Sequence, residues 1–410
     1  MALTPGQVEI IRSTIPVLKE HGNAVTMLFY KTLLTEVPSL HNVFNQTNQE
    51  NDHQATALAG ALHAYATHIQ DTGSLSPMLE KITQKHASLF IQPEQYQLVG
   101  MYLLRAMGDV LGSAFTPALH AAWATAYWQL ANLMIAQEEE LQLSTHGWTD
   151  WRYFQIVQKI VESDEITSFY LQPTDGHSLP HFNPGQYISI QVPVPALNSL
   201  QSRQYSLSDV PGQDHYRISV KRESGGQVSN ILHGQAVGAA IQISHPFGGF
   251  FLDPCKEENR PLVLIAAGVG ITPLISILNS AVRDGSHPHI SVIQAARSSK
   301  TLAFGEYIRA LAKEDSNVRY IRFIKTPMAG EVVGRDFDVA GRMSLKGLDG
   351  EKMLGLGFGE TLYFVCGPEG FMGDVRGALT KMGVDRERIR MERFGTGGIL
   401  EPEGYREGRP

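Results

Sequence analysis

Three short runs of residues carry chemistry that their types and spacing define. The first is Arg203-Gln204-Tyr205-Ser206. On a strand, Arg203 and Tyr205 point one way and Gln204 and Ser206 the other. An arginine clamps phosphate, a tyrosine ring stacks on a flat heterocycle, and a serine hydroxyl contacts a ring nitrogen. Downstream, Gly225-Gly226-Gln227-Val228-Ser229 follows a strand pattern and opens a short helix, whose backbone amides suit a pyrophosphate. The second run is Gly268-Val269-Gly270-Ile271-Thr272-Pro273, directly after the buried-strand pattern Leu262–Ala266. It is not the full dinucleotide fingerprint, because Pro273 stands where the third glycine belongs. The third is Cys366-Gly367-Pro368, at the end of Leu362–Val365. Ligands gather at the carboxyl ends of such strands. Arg297, Ser298 and Lys300 follow another strand and offer charge for a 2′-phosphate, which favours NADPH over NADH; surface charge explains them equally well. Taken singly, each run also reads as an ordinary strand, turn or buried thiol.

A second group of residues is polar where the helical period asks for apolar side chains. Gln54 lies four residues before Leu58 on one face, and Tyr30 shares a face with Met27, Leu34 and Val37. His86 continues the stripe of Leu79 and Ile82. Glu138 extends that of Tyr127, Leu130 and Met134, while Glu139 and Glu140 turn to solvent. A buried histidine is more often a hydrogen-bonded core residue than a ligand. A buried glutamate is costly unless it has a partner or a task.

These residues need elements to hold them. Residues 1–150 read as helical throughout. Thr4-Pro5 marks a helix start, residues 52–70 carry a stripe of Leu58, Leu62, Tyr65 and Ile69, and Pro93 and Pro117 open two more helices. Beyond residue 150 the pattern alternates. Strands are expected at Tyr153–Val161, Ile166–Gln172, Gln186–Val192, Arg203–Ser208, His215–Lys221 and Ala240–Ser244. Short strands with turns at this spacing predict an antiparallel barrel. From residue 261 the strands Leu262–Ala266, His289–Gln294, Val318–Phe323 and Thr361–Val365 alternate with helices, so a parallel doubly wound sheet is expected. The fold class is therefore multidomain: an all-α domain (1–148), an antiparallel β-barrel domain (149–260) and an α/β doubly wound domain (261–410).

Composition agrees and excludes other classes. At about 150 residues per domain, 410 residues make two or three domains. Hydrophobics at 43% and charged residues at 18% argue for globular cores. Residues 1–150 hold 6 Lys+Arg against 13 Asp+Glu, the whole net charge of −7, while the rest holds 28 of each. An acidic balance of this kind excludes a nucleic-acid binder. Two cysteines, Cys255 and Cys366, are too few for a disulfide framework and fit a reducing compartment. The uncharged stretch Pro261–Val282 is cut by Gly268-Val269-Gly270 and Thr272-Pro273, so it reads as strand, turn and helix rather than a membrane span. A cytoplasmic, non-transmembrane protein is expected.

The polar positions of the first domain resemble those of a globin, with Phe44 at the phenylalanine that packs on the haem, Gln54 and Leu58 on the distal helix, and His86 as the proximal ligand. His63 and His68 are weaker rival ligands. The tetrad at Arg203–Ser206, the glycine pair at 225–226, the turn at Gly268–Pro273 and Cys366–Pro368 resemble the ferredoxin-reductase type of flavin and pyridine-nucleotide domains. In their order and separations, the three parts resemble the flavohaemoglobins, which act as nitric oxide dioxygenases. The resemblance implies haem b, FAD and NADPH (or NADH) as cofactors. It implies His86 as metal ligand, Tyr96 and Glu138 as a proximal relay, Tyr30 and Gln54 as distal residues, and Phe44 and Leu58 as pocket walls. Lys85 and Glu392 are implied at the haem–flavin boundary. Tyr187, Arg203, Gln204, Tyr205, Ser206, Gly226, Gln227, Val228 and Ser229 are implied to contact FAD, together with Glu392, Arg393, Phe394, Gly395 and Thr396. Gly268, Val269, Gly270, Ile271, Thr272, Pro273, Arg297, Ser298, Cys366, Gly367 and Pro368 are implied to contact NAD(P). The implied small-molecule partners are O2, NO and NAD(P)H, with a lipid or azole as a further occupant of the haem pocket. A monomer is expected. A haem oxygen sensor or store, or a hydroperoxide or quinone reductase, are the rival functions. Here Gly397-Gly398 and a longer tail depart from the family's ending.

Overall fold

The computed structural model describes residues 2–46 and 52–395. Two compact units form, one from residues 2–150 with 193–202, the other from 151–192 with 203–394.

The first unit is helical. Thr4 caps α1 (Pro5–Ser13): its hydroxyl accepts from the Gln7 N–H at 3.3 Å and the Gln7 side chain accepts from the Thr4 N–H at 2.9 Å. Then follow α2 (Ile15–Glu36), α3 (His53–Thr67), α4 (Ser76–Ser88), α5 (Pro93–Leu111) and α6 (Pro117–Leu143). Proline opens α5 and α6, where a missing N–H costs nothing. The helices cross around Phe29, Leu33, Leu62, Tyr65, Met107 and Trp123. Tyr65 reaches across the core and donates to the Ala126 carbonyl at 2.9 Å. Met27 does not share the buried face expected of it: it is 48% exposed, because the inward face of α2 runs through Thr26, Phe29, Tyr30, Leu33 and Leu34. Residues 193–202 lie against the turn Pro38–Asn42, where the Leu200 N–H donates to Asn42 Oδ1 at 2.8 Å and buried Gln201 donates to the His41 carbonyl at 3.0 Å.

In the second part of the chain, β1 (Arg152–Val161), β2 (Ile166–Pro173), β3 (Tyr187–Val194), β4 (Ser199–Ser206), β5 (Tyr216–Lys221) and β6 (Ala240–Ile243) form a six-stranded sheet in the order β4-β3-β6-β1-β2-β5. The central pairings are antiparallel. An isolated bridge, Leu207↔Ile218, links the segment after β4 to β5. The expected strand Arg203–Ser208 starts earlier and ends at Ser206, because the turn Pro195–Leu197 and left-handed Asn198 bring the chain into the sheet at Ser199.

The second sheet is parallel throughout. β7 (Leu262–Ala267), β8 (Ile290–Ala296), β9 (Val318–Ile324), β10 (Val339–Ala340), β11 (Leu362–Cys366) and β12 (Ile389–Glu392) run in the order β10-β9-β8-β7-β11-β12. Leu262, Leu264, Leu362 and Phe364 face α8 (Ile271–Asp284) and α9 (Gly305–Glu314). The alternate residues Val263, Ile265, Tyr363 and Val365 face α10 (Glu369–Lys381). Helices thus cover both faces, as a doubly wound sheet requires. The strands β10 and β12 are additions to the four expected ones. A short helix, α7 (Gln227–Gly234), follows β5. Among the described residues no helix is long and apolar enough to cross a membrane.

Candidate functional site

In the helical unit, α4, α5 and α6 bring His86, Tyr96 and Glu138 to one point. The Tyr96 hydroxyl donates to Glu138 Oε1 at 2.6 Å. His86 Nδ1 lies 2.9 Å from both the Tyr96 oxygen and Glu138 Oε1. The phenol proton is committed to the carboxylate, so Nδ1 carries the imidazole proton and donates it. The lone pair of the ring is then on Nε2, the tautomer that a metal ligand needs. Glu138 is 4% exposed, so its carboxylate is buried and doubly bonded. Burial, and then the Glu138 charge, hold the Tyr96 hydroxyl far above the usual phenol range.

Tyr127, read in the sequence as one more apolar member of its stripe, completes the group as a hydrogen-bond donor. Its hydroxyl donates to the Tyr96 carbonyl at 2.5 Å. Its ring lies so close to Gly100 that a Cβ there would come within 2.4 Å of it. A glycine one turn after Tyr96 was the available signal.

The distal candidates also meet. Tyr30 is 7% exposed and hydrogen-bonds the Gln54 side chain. Burial raises its hydroxyl well above the ordinary phenol value, and the bond to Gln54 offsets that in part. Phe44 stands edge-on to Tyr30, centroids 5.5 Å apart, and Leu58 packs at the margin of the core. Lys85 precedes His86 on α4. Of the rival ligands, His68 bonds Ser74 through Nδ1 at 3.1 Å in an exposed position, and His63 lies on α3. A histidine held by a buried carboxylate, in a helical core with a tyrosine–glutamine pair, fits haem.

The flavin candidates fit a flat heterocycle with a charged tail. Tyr187 lies on Gly248, where a Cβ would come within 2.9 Å of the ring carbons. Gln204 donates to Ser189 Oγ at 2.9 Å, away from the face shared by Arg203 and Tyr205. Both side chains are half-buried; that burial depresses the Arg203 guanidinium and raises the Tyr205 phenol above its ordinary range. Gly226 is the N-cap of α7, and a Cβ on it would meet Ser229 Oγ at 2.7 Å. Gln227 and Val228 form its first turn.

The two glycine turns of the parallel sheet press together at the carboxyl ends of adjacent strands. A Cβ on Gly270 would come within 2.2 Å of the Cys366 carbonyl oxygen, and one on Gly367 within 3.0 Å of Ala267. Thr272 Oγ1 donates to the Val269 carbonyl at 3.0 Å, which secures Ile271 and Pro273 at the start of α8. Backbone alone can lie in this cleft, which suits a dinucleotide. The Cys366 thiol is fully buried, and burial, then Glu392, push it up. Pro368 caps α10.

Arg297 is not left for a phosphate alone. Its guanidinium pairs with the Glu165 carboxylate. The neighbouring Ser299 hydroxyl donates to Glu331, and Ser298 caps the turn Ser299–Thr301. At the other end of the sheet, Glu392 closes β12, Arg393 pairs with Glu369 at 2.9 Å, Phe394 is 48% exposed and Gly395 has φ +114°. Thr396 and the departing tail lie outside the described residues.

Comparison with known proteins accounts for all three parts. The globin family matches residues 27–134, an oxidoreductase FAD-binding domain matches 153–252, and an oxidoreductase NAD-binding domain matches 264–377. A flavohemoprotein of Bordetella parapertussis is 44% identical over 97% of this chain and 100% of its own length. One from Deinococcus radiodurans is 41% identical over 98% and 99%. A flavohemoglobin from Malassezia yamatoensis, solved with bound FAD and heme, has a TM-score of 0.85 at 30% identity, covering 96% of this chain and 100% of that one. The FAD/NAD-binding domain of a nitric oxide dioxygenase from Vibrio cholerae has a TM-score of 0.54 at 34% identity, covering 60% of this chain and 99% of its own. The chain is an oxidoreductase that binds haem, FAD and NAD(P)H, and it belongs to the flavohemoprotein family.

Proposed function

We propose that the chain is a nitric oxide dioxygenase, which converts NO and O2 to nitrate with electrons drawn from NAD(P)H through FAD to haem. The observation that carries this reading is the group in which Tyr96 and Glu138 both meet His86 Nδ1 at 2.9 Å. A buried carboxylate on the far side of a ligating imidazole gives it anionic character and makes the metal more electron-rich. A store of oxygen has no use for that push; a site that activates oxygen does. The name of the Vibrio cholerae neighbour, a nitric oxide dioxygenase, supports the same reading.

When bound, haem would supply a redox-active iron that can take a diatomic gas, and FAD would supply the conversion between two-electron and one-electron chemistry. His86 would hold the iron through Nε2, with Tyr96 and Glu138 fixing ring orientation. Tyr30 and Gln54 would donate hydrogen bonds to the gas, while Phe44 and Leu58 keep water out. Tyr187, Arg203, Tyr205 and Ser206 would hold the flavin and Gly226–Ser229 its pyrophosphate. Gly268–Pro273 and Cys366–Pro368 would receive the nucleotide. The corresponding division is residues 1–148, 149–260 and 261–410.

The test is nitrate formation by purified protein, loaded with haem and FAD, given NADPH, O2 and NO. Nitrate appearing no faster than without protein overturns the proposal. Tight O2 binding with slow NO turnover points instead to an oxygen sensor or store.

A further inference from the structure

One short segment joins the two sides of the reductase cleft. On the flavin side, Tyr187 and Phe247 exchange backbone hydrogen bonds, both 2.8 Å. Gly185, at φ +111°, lies so near this segment that a Cβ would come within 2.5 Å of the Phe250 carbonyl oxygen. The Leu252 N–H donates to the Pro184 carbonyl at 3.0 Å. Residues 247–252 are therefore fitted closely against Pro184–Tyr187.

Arg390, on β12, grips the same segment from the opposite side. Its Nη1 donates to the Phe251 carbonyl at 2.8 Å and to Glu257 Oε2 at 3.0 Å, and its Nη2 donates to Glu257 Oε1. The guanidinium lies 5.2 Å from the centroid of the Phe364 ring, which stands edge-on to Phe250 at 5.4 Å. The Glu257 side chain is 5% exposed and also accepts from the Asp253 N–H at 2.9 Å. A buried ion pair is a weak source of stability compared with apolar packing. What a bidentate pair does supply is a fixed direction and distance. β12 needs that, since it is a four-residue edge strand. Its register on β11 sets Glu392 opposite Cys366.

We propose that Arg390 and Glu257 are a positioning pair that holds the nicotinamide side of the cleft, at Cys366 and Glu392, at a fixed gap from the flavin side at Tyr187. The pair thereby sets the rate at which NAD(P)H reduces FAD. In that step the nicotinamide C4–H bond breaks with its electron pair, the hydride bonds to the flavin, and oxidised NAD(P)⁺ leaves, so no further reactant enters. The proposal rests on the placement of flavin beside Tyr187 given above.

The experiment uses full-length protein loaded with haem and FAD. Stopped-flow mixing with NADH, without oxygen, gives the limiting rate of flavin reduction and the Kd for NADH. Amide hydrogen exchange of the resting protein reports on residues 247–252 and 389–392. Arg390→Met is expected to lower the limiting rate by about tenfold to a hundredfold. Its Kd should stay within about twofold of the native value. Exchange in the two segments should rise together, and Arg390→Lys should recover part of the rate. Glu257→Gln preserves side-chain shape and should reproduce the Arg390→Met result, so it carries the test if Arg390→Met does not fold. A limiting rate unchanged in both variants, or a change in Kd alone, or faster exchange in β12 without residues 247–252, overturns the proposal. Native protein whose flavin neither NADH nor NADPH reduces overturns the reading of the cleft itself, and the positioning pair with it.

Discussion

The Tyr96 hydroxyl donates to Glu138 Oε1 across 2.6 Å, and this bond decides which nitrogen of His86 carries hydrogen. With the phenol O–H pointed at the carboxylate, Nδ1–H has two acceptors, at 2.9 Å each, and Nε2 is left with the free lone pair. Sequence separation hides the arrangement, because Tyr96 and Glu138 stand 42 residues apart on two helices. Glu138→Gln retains the shape and removes the charge. It should keep haem, lower NO consumption by about tenfold to a hundredfold, and weaken the iron–histidine bond. Resonance Raman checks the last point: an iron–histidine stretch unchanged from native counts against the electronic role. His86→Ala should abolish the Soret band; a normal spectrum would transfer the ligand role to His63 or His68.

Alkali should unfold the helical unit in a way its tyrosines predict. Burial raises Tyr30, Tyr96 and Tyr127 well above the phenol range, and pushes Tyr65 up to about 12. In the unfolded chain these phenols ionise near 10. Between that value and their folded values the native state holds more protons than the unfolded one, so stability falls as pH rises. Below pH of about 10 the contribution is fully present. Tyrosinate absorbance and circular dichroism, followed together through an alkaline titration, should change in step in this module. Phenolate appearing well before helix loss would show the tyrosines to be accessible.

Much of this site was legible because its residues break a pattern. Glu138 on an apolar stripe demanded a partner, and Tyr96 and His86 supply one. The glycine turns were legible because Gly268, Gly270 and Gly367 follow apolar strands. Arg390 and Glu257 were not, since neither interrupts a stripe and their pairing depends on a loop and an edge strand meeting in three dimensions. β12 itself, Ile-Arg-Met-Glu, is too short and too polar to announce a strand. The shift of β4 to Ser199–Ser206 was hidden for a similar reason: Asn198 turns the chain through a left-handed conformation that spacing alone does not display.

Gly270 is the position where a single methyl group should do most damage to nucleotide binding. The clash of a Cβ with the Cys366 carbonyl at 2.2 Å is with backbone at the end of a central strand, which cannot swing aside. Gly270→Ala should cost about 1–3 kcal/mol of stability and weaken NAD(P)H binding, with haem content unaffected. Gly373→Ala is the control, because nothing lies within 4 Å of its Cβ position and it is exposed on a helix. Thermal unfolding and nucleotide titration of the two variants should differ accordingly; equal behaviour would mean that the two turns move apart freely.

The ion pair between Arg297 and Glu165 should tune the choice between NADPH and NADH. Arg297 stands just past the end of β8, next to β7 and its glycine turn, where doubly wound folds read the adenosine ribose. A 2′-phosphate there must compete with the Glu165 carboxylate for the guanidinium, and Glu331 on Ser299 adds a second negative charge. Glu165→Gln removes the competitor and leaves the arginine. The pair is partly exposed, with side-chain accessibilities of 68% and 30%, so the gain is modest. A rise of about twofold to fivefold in kcat/KM for NADPH relative to NADH is expected. The ratio should rise mainly through KM for NADPH and shrink at high salt, as a screened charge contact does. A ratio that stays constant, or falls, would mean that Arg297 does not meet the 2′-phosphate.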